Sequence, residues 1–239
     1  MERNVRVDVW ASVSSGEDGA SWVDPRVLRG ETLEEAPSSI PATYPGRQGI
    51  ATGWWASTTG TLVECGTEVE RRGAVYLDFD PSVTAFTASR VRLRWQHEDQ
   101  QGTVAPAFFA RTRAGRRLAV VHPARPGPRG RYEREVLQVA AEAAGWSLRE
   151  LGPPDRIRIA SLERAAAFRF AEFGDPRVRT ALRRAFSVPR PLQEGVAAAG
   201  LLPGSNSRAY HLLWTGDLMT DWSRPLLPIS TVWTSTEDA

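Results

Sequence analysis

Seven carboxylates crowd the stretch from Glu64 to Asp99 of this chain: Glu64, Glu68, Glu70, Asp78, Asp80, Glu98 and Asp99. Carboxylates are the groups that seat a hard divalent cation, because Mg2+ prefers several oxygen ligands and they must converge. An ion so held polarises a phosphate and lowers the pKa of an attacking water. Asp78 and Asp80 bracket Phe79 in a segment closed by Pro81, where a turn is expected in which they accept from backbone N–H groups. Other reactive types are sparse. Cys65 is the single cysteine, which excludes a disulfide framework and a cysteine zinc site. His97, His122 and His211 are too scattered for a histidine cluster. Cys65 with His122 or His97 has the residue types of a thiol nucleophile, but a lone cysteine on an apolar face is expected to pack. GxSxG, Walker and GxGxxG patterns are absent, so esterase, P-loop and dinucleotide chemistry gain no support.

The basic residues say more by type and placement than by the net charge of +2. All thirty are arginine, so no lysine is present to act as a catalytic cation. Residues 1–50 hold five arginines against eight acids, whereas residues 111–190 hold eighteen against eight. Such asymmetry is the footprint of a face that binds a polyanion. No apolar run reaches the ~18 residues of a membrane-spanning helix. The first residues, MERNVRVDVWASVSSGEDG, show no basic head followed by an apolar stretch. The expectation is a soluble cytoplasmic protein.

These groups must be positioned by a core that 239 residues can supply, with room for a small satellite domain. Residues 1–50 read as one strand at 5–10 followed by a loose arm. A turn-rich aromatic element at 53–60 precedes a helical pattern over 62–76. Alternation predicts strands at 83–88 and 91–95, with a polar turn at 98–102 leading to a strand at 104–111. Leu118-Ala119-Val120-Val121 reads as a strand buried on both faces. A helix over 131–144 ends at Gly145. A strand at 146–148, an extended segment at 156–159 and a helix at 161–170 capped by Ser161 follow. The sum is an α/β architecture with a mixed sheet and a crossover helix. Three short helices, at 176–186, 191–199 and 206–214, then precede two strands at 218–222 and 230–234. That is the order of a winged helix-turn-helix, with 206–214 as the recognition helix.

The pieces GWWASTTG (53–60), EVERRGAVYLDFDPSV (68–83), VRLRW (91–95), APAFFA (105–110), GRRLAVV (115–121), GWSLRELGPPD (145–155) and HLLWTGDLMTD (211–221) carry a resemblance in their order and spacing. Together they resemble the TnsA-like endonuclease subunits of heteromeric transposases. The resemblance implies a restriction-endonuclease-like mixed-sheet core at 51–173 and a winged-helix-like domain at 174–239, after the arm at 1–50. In that family a helix-borne glutamate, an aspartate after a proline and an acidic residue or Gln at a strand end form the site, and a Lys or Arg two residues beyond the last stabilises the transition state. Glu70 matches the glutamate. The aspartate position is Ala107, and a methyl group ligates nothing. At the strand end Val121 and Pro123 fall on the ligand and cation positions. Sliding by two residues brings Arg125 to the cation position and Pro123 to the ligand position, and His122 falls between the two alternative ligand positions, Val121 and Pro123. The sequence leaves both registers open.

The implied reading is a DNA-binding, nuclease-deficient TnsA-like subunit of a mobile element, meeting double-stranded DNA and transposase or ATPase-type partners, with no metal and no membrane. Arg111, Arg113, Arg116 and Arg117 are expected to clamp phosphates at the mouth of the former site. Arg183, Arg184, Ser207 and Arg208 are expected to do so from the C-terminal domain. The alternative is an active endonuclease that uses Mg2+, Glu70 and a relocated acid to cut at element ends.

Overall fold

The computed structural model describes residues 8–13, 22–36, 52–97, 100–153, 155–202 and 206–234. The chain divides into two units, one of Met1–Ala74 with Ser82–Pro153 and one of Val75–Pro81 with Pro154–Ala239. The first is built from β1 (Asp8–Val13), β2 (Thr52–Ala56), β3 (Thr61–Cys65), the start of helix α1 (Glu68–Phe79), β4 (Val83–Ala88), β5 (Val91–His97), β6 (Gln100–Val104), β7 (Phe108–Thr112), β8 (Arg117–Val121), helix α2 (Pro128–Ala144) and β9 (Ser147–Glu150). A mixed sheet of order β4-β7-β8-β9 has antiparallel pairs until β9, which runs parallel to β8. A parallel neighbour needs a crossover, and α2 supplies it. Gly145 ends α2 in the left-handed region at φ 73°, as the sequence leads one to expect.

A second sheet, β1-β5-β6, shows strict alternation in its middle strand. Val91, Leu93 and Trp95 are buried while Arg92, Arg94 and Gln96 are exposed. The buried set joins Phe109, Val121, Val136, Ala140 and Trp146 in the main apolar core. Burial of this kind contributes roughly 25 cal/mol per Å2 of apolar surface.

The expected arm departs from the sequence reading where it is described. Pro25–Gly30 and Leu33–Glu35 form 3-10 turns, with Leu28 and Leu33 buried in the core. Polar composition hid two apolar anchors. Residues 5–7 of the expected strand, most of the arm at 37–50, and Glu98 and Asp99 lie outside the described residues.

The helix expected over 62–76 is two elements. Val63 and Cys65 are buried alternately in the β2–β3 hairpin, and the helix begins only at Glu68. Thr67 sets that start: its Oγ1 accepts from Glu70 N at 3.1 Å and its carbonyl accepts from Arg71 N. The same helix runs on through Asp78, which is therefore helical and buried rather than in a turn. The Asp78 carboxylate lies 3.8 Å from the Arg169 guanidinium.

In the second unit, Asp155 caps helix α3 (Arg156–Ala166) by accepting from Ile157 N and Arg158 N. The expected extended segment at 156–159 is thus the first turn of a helix. Ser161 is buried within it and binds Leu226 N instead of capping. Helix α4 (Pro176–Ala185), strand β10 (Arg190–Pro191), helices α5 (Leu192–Ala198) and α6 (Ser207–Trp214), and strands β11 (Leu218–Thr220) and β12 (Thr231–Thr234) follow, with sheet order β10-β12-β11. Helix α6 packs against α3, α4 and β11, and Ala209 to Trp214 are all buried. The expected recognition helix therefore lacks an open face to enter a groove. Among the described residues no helix is long and apolar enough to cross a membrane.

Candidate functional site

Three elements of the first unit converge on one cleft of about 280 Å3. Helix α1 brings Glu70, the segment entering β7 brings Ala105, Pro106 and Ala107, and the end of β8 brings Val121, His122, Pro123 and Arg125. Residues 70, 107 and 122 are far apart in sequence, and the fold joins them because α1 lies close on β7. Gly73 permits that approach: a Cβ there would stand 2.7 Å from the Phe108 ring. Ala107 is fixed on both sides, donating to Val120 O at 2.7 Å and accepting from Ser89 N at 2.9 Å. Ala107 lines the cleft wall.

Helix α2 closes the cleft with Gly130, Glu133, Arg134 and Leu137. The sequence reading missed Glu133 and Arg134. Their signal was present, since positions i, i+3, i+4 and i+7 share one helix face. Gly130 is pressed against the Arg125 carbonyl with no room for a side chain, which seats the Arg125 loop on the first turn of α2. Glu133 accepts from Arg129 at 3.0 Å, and Arg134 pairs with Glu150.

Glu70 has a structural task as well as a place in the cleft. Its Oε2 accepts from Gly66 N at 2.5 Å while its own N–H donates to Thr67 Oγ1. Thr67-Glu68-Val69-Glu70 is thus a capping-box type of sequence at the start of α1. His122 sits edge-on to Phe108 with ring centroids 6.4 Å apart. Burial pushes its imidazole below the ordinary 6.5, and the Glu70 carboxylate opposes that shift. Its Nε2 is buried without a hydrogen-bond partner among the described residues.

A divalent metal does not fit this donor set. The cleft offers carboxylates from Glu70 and Glu133, of which one is held by a backbone N–H and the other by Arg129. Among the described residues no three His, Cys, Asp or Glu side chains converge as a metal site. Of the other acids considered, Glu68 binds Arg71 and Arg72, Asp78 faces Arg169, and Glu64 lines a different cavity. Cys65 is buried, and its thiol is pushed up to about 12 chiefly by that burial. It is packing, not a nucleophile.

The hairpin arginines do not flank the cleft. Register pairs Phe108 with Val120 at the cleft end and Arg111 with Arg117 at the other. Three residues of strand separate them, on the order of 10 Å. There Arg111 donates to Glu34 at 2.7 Å and meets Glu35 at 3.1 Å. Arg117 lies 3.7 Å from the other Glu34 oxygen and donates to Arg29 O at 2.7 Å. The Glu34 side chain is 2% exposed. Both cations hold a buried carboxylate, and only Arg113 and Arg116 in the turn are exposed.

The second unit divides its candidates similarly. Arg183 and Arg179 both reach Asp217, which also accepts from Thr215 Oγ1. Arg208 donates to Glu172 O at 2.6 Å and lies over the Phe173 ring. Ser207 is half-buried and Arg184 is exposed. No family model matches the chain, and no curated protein matches it.

Proposed function

We propose that the chain is a DNA-holding subunit of a transposon or other mobile-element machinery, TnsA-like and deficient in nuclease chemistry. One observation carries the reading. Glu70, Ala107 and His122 with Arg125 line a single cleft at the meeting of a helix and a hairpin, where too few oxygens remain to seat an ion. Hydrolysis by a restriction-type core needs carboxylates from such a helix and hairpin end. The four-stranded mixed sheet with its crossover helix fits a restriction-endonuclease-like core. In the second unit, three helices with β10, β11 and β12 fit a winged-helix-like domain. With α6 enclosed, the duplex is met by exposed arginines of the first unit, Arg113 and Arg116. An arginine fork suits phosphate. Transposase or ATPase-type proteins are the partners.

Fluorescence anisotropy of a labelled duplex, titrated between 50 and 200 mM salt, tests the DNA reading. Each phosphate neutralised steepens the log–log salt dependence by about 0.9. Charge reversal at Arg113 and Arg116 is expected to weaken binding and flatten the slope. No binding at the lowest salt would sink the reading.

Glu133 favours a second reading. It is an acid in the cleft contributed by α2, and a relocated ligand would stand in such a place. An active endonuclease predicts Mg2+-dependent nicking of a DNA end, lost in Glu70→Gln and Glu133→Gln alike. Glu70→Gln is chosen because glutamine also serves in a capping box. Inactivity with Mg2+ and Mn2+, with and without partner proteins, removes this reading.

A further inference from the structure

The outer face of the β1-β5-β6 sheet is not used by the cleft, and its chemistry differs from the rest of the first unit. Strand β5 turns Leu93 and Trp95 into the core, so Arg92, Arg94 and Gln96 point away from it. Register places Trp10 of β1 and Thr103 of β6 on either side of Arg94, both on the outer face. Val23 bridges Ala11, which sets Trp22 on the outer face too. The Arg94 guanidinium lies 4.9 Å from the Trp10 ring centroid and 5.0 Å from that of Trp22. Helix α2 packs against this sheet on the inner side. Among the described residues this face carries Asp8 as well as Arg92 and Arg94, and Asp24, beside Val23, is paired with Arg26.

We infer that this face is a platform for an unpaired DNA strand. Bases have π faces that stack on indole rings whatever their identity, and arginine serves the phosphates between them. Arg94, its guanidinium over both indole rings, is held by them while its N–H groups serve a phosphate. A duplex presents its bases edge-on inside grooves and gives such a flat platform nothing to stack on. The inference rests on the DNA reading above and adds the strand state. A subunit acting at an element's end meets such a strand wherever one is displaced.

The full-length protein is titrated with dT12, rU12 and a blunt 20-base-pair duplex, following tryptophan fluorescence and anisotropy. Binding of dT12 with quenching, weakened roughly tenfold or more by Trp10→Leu and by Arg94→Gln but little by Trp10→Phe, is expected. Those substitutions should leave duplex binding unchanged, and Arg113→Glu with Arg116→Glu should do the reverse. Thermal melts identify any variant that fails to fold, and Arg92→Gln, on the exposed face, then serves in its place. Duplex binding without dT12 binding overturns the platform and leaves the DNA reading standing. Absence of both overturns both. Binding of dT12 that is indifferent to Trp10→Leu and Arg94→Gln, or a clear preference for rU12, also overturns it.

Discussion

The two ends of the β7–β8 hairpin use charge in opposite ways. At the cleft end, Glu70, Ala107, His122 and Arg125 line an opening. At the turn end, Arg111 and Arg117 clamp a carboxylate that is almost wholly enclosed. The arginine-rich stretch read from the sequence as a phosphate clamp is therefore half internal. Arg111 and Arg117 balance a buried acid contributed by the supposed arm, and they are committed to it. Local charge density cannot distinguish a cation facing solvent from one consumed by a distant acid, because the partner lies 77 residues away.

The largest expected effect breaks the turn end. Arg111→Ala leaves the Glu34 carboxylate buried with Arg117 alone at 3.7 Å. Removing the nearer partner of a carboxylate that is 2% exposed is the costliest single change at this end. Thermal or urea unfolding should show that loss, while Arg113→Ala and Arg116→Ala stay within about 0.5 kcal/mol of the parent. Equal effects at all three would mean that the division between clamped and free arginines is wrong.

The next effect sharpens the cleft end. Ala107→Asp adds a third carboxylate beside Glu70 and Glu133. Mn2+ at ten times its Kd should then stabilise the variant by about 1.4 kcal/mol. The parent should show no such gain. A parent stabilised by Mn2+ as strongly as the variant would show that the cleft already seats an ion, and the nuclease-deficient reading would fall with it.

How much of this was legible follows from what each signal depends on. Strands β4, β5 and β8 and helix α2 were readable because their apolar periods are local and uninterrupted. The convergence of residues 70, 107 and 122 was anticipated from motif order, since α1, β7 and β8 fold in the sequence that the motifs suggest. The start of α1 was misplaced because Leu62 and Val69 suit a helical stripe, yet both are exposed and Val63 and Cys65 face inward instead. Thr67 and Glu70 carried the correct boundary. Glu34 was unreadable as a core residue, since only tertiary contact with Arg111 makes its burial tolerable. The recognition-helix reading overlooked a local signal: Ala209 to Trp214 carries apolar or aromatic side chains all round the helix, the pattern of an enclosed element, and α3, α4 and β11 pack against it.

A smaller effect separates the two tasks of Glu70. Capping contributes on the order of 1 kcal/mol, so Glu70→Ala should lose about that much in unfolding. Glu70→Gln keeps an acceptor for Gly66 N and should lose only a few tenths. Comparable losses in both would show that the carboxylate charge, not the cap, holds this residue in place.

The smallest effect is confined to one side of pH 6.5, and it tests the cleft's polarity. The folded-state pKa of His122 lies below its ordinary 6.5, first because burial penalises the imidazolium. As pH falls past 6.5 the unfolded chain therefore takes up this proton before the folded one does. Stability rises with pH wherever the unfolded state binds more protons, so His122 favours the fold above 6.5, and that contribution fades as pH drops through the folded value. His122→Gln has no proton to lose there. The stability of the parent minus that of the variant should be flat above pH 6.5 and shrink below it. Titrating carboxylates common to both proteins cancel in the difference. In a Glu70→Gln background the decline should grow, because the one charge favouring the imidazolium is gone. A difference that rises as pH falls would mean that Glu70 outweighs burial. The cleft end would then, like the turn end, be organised around a satisfied carboxylate.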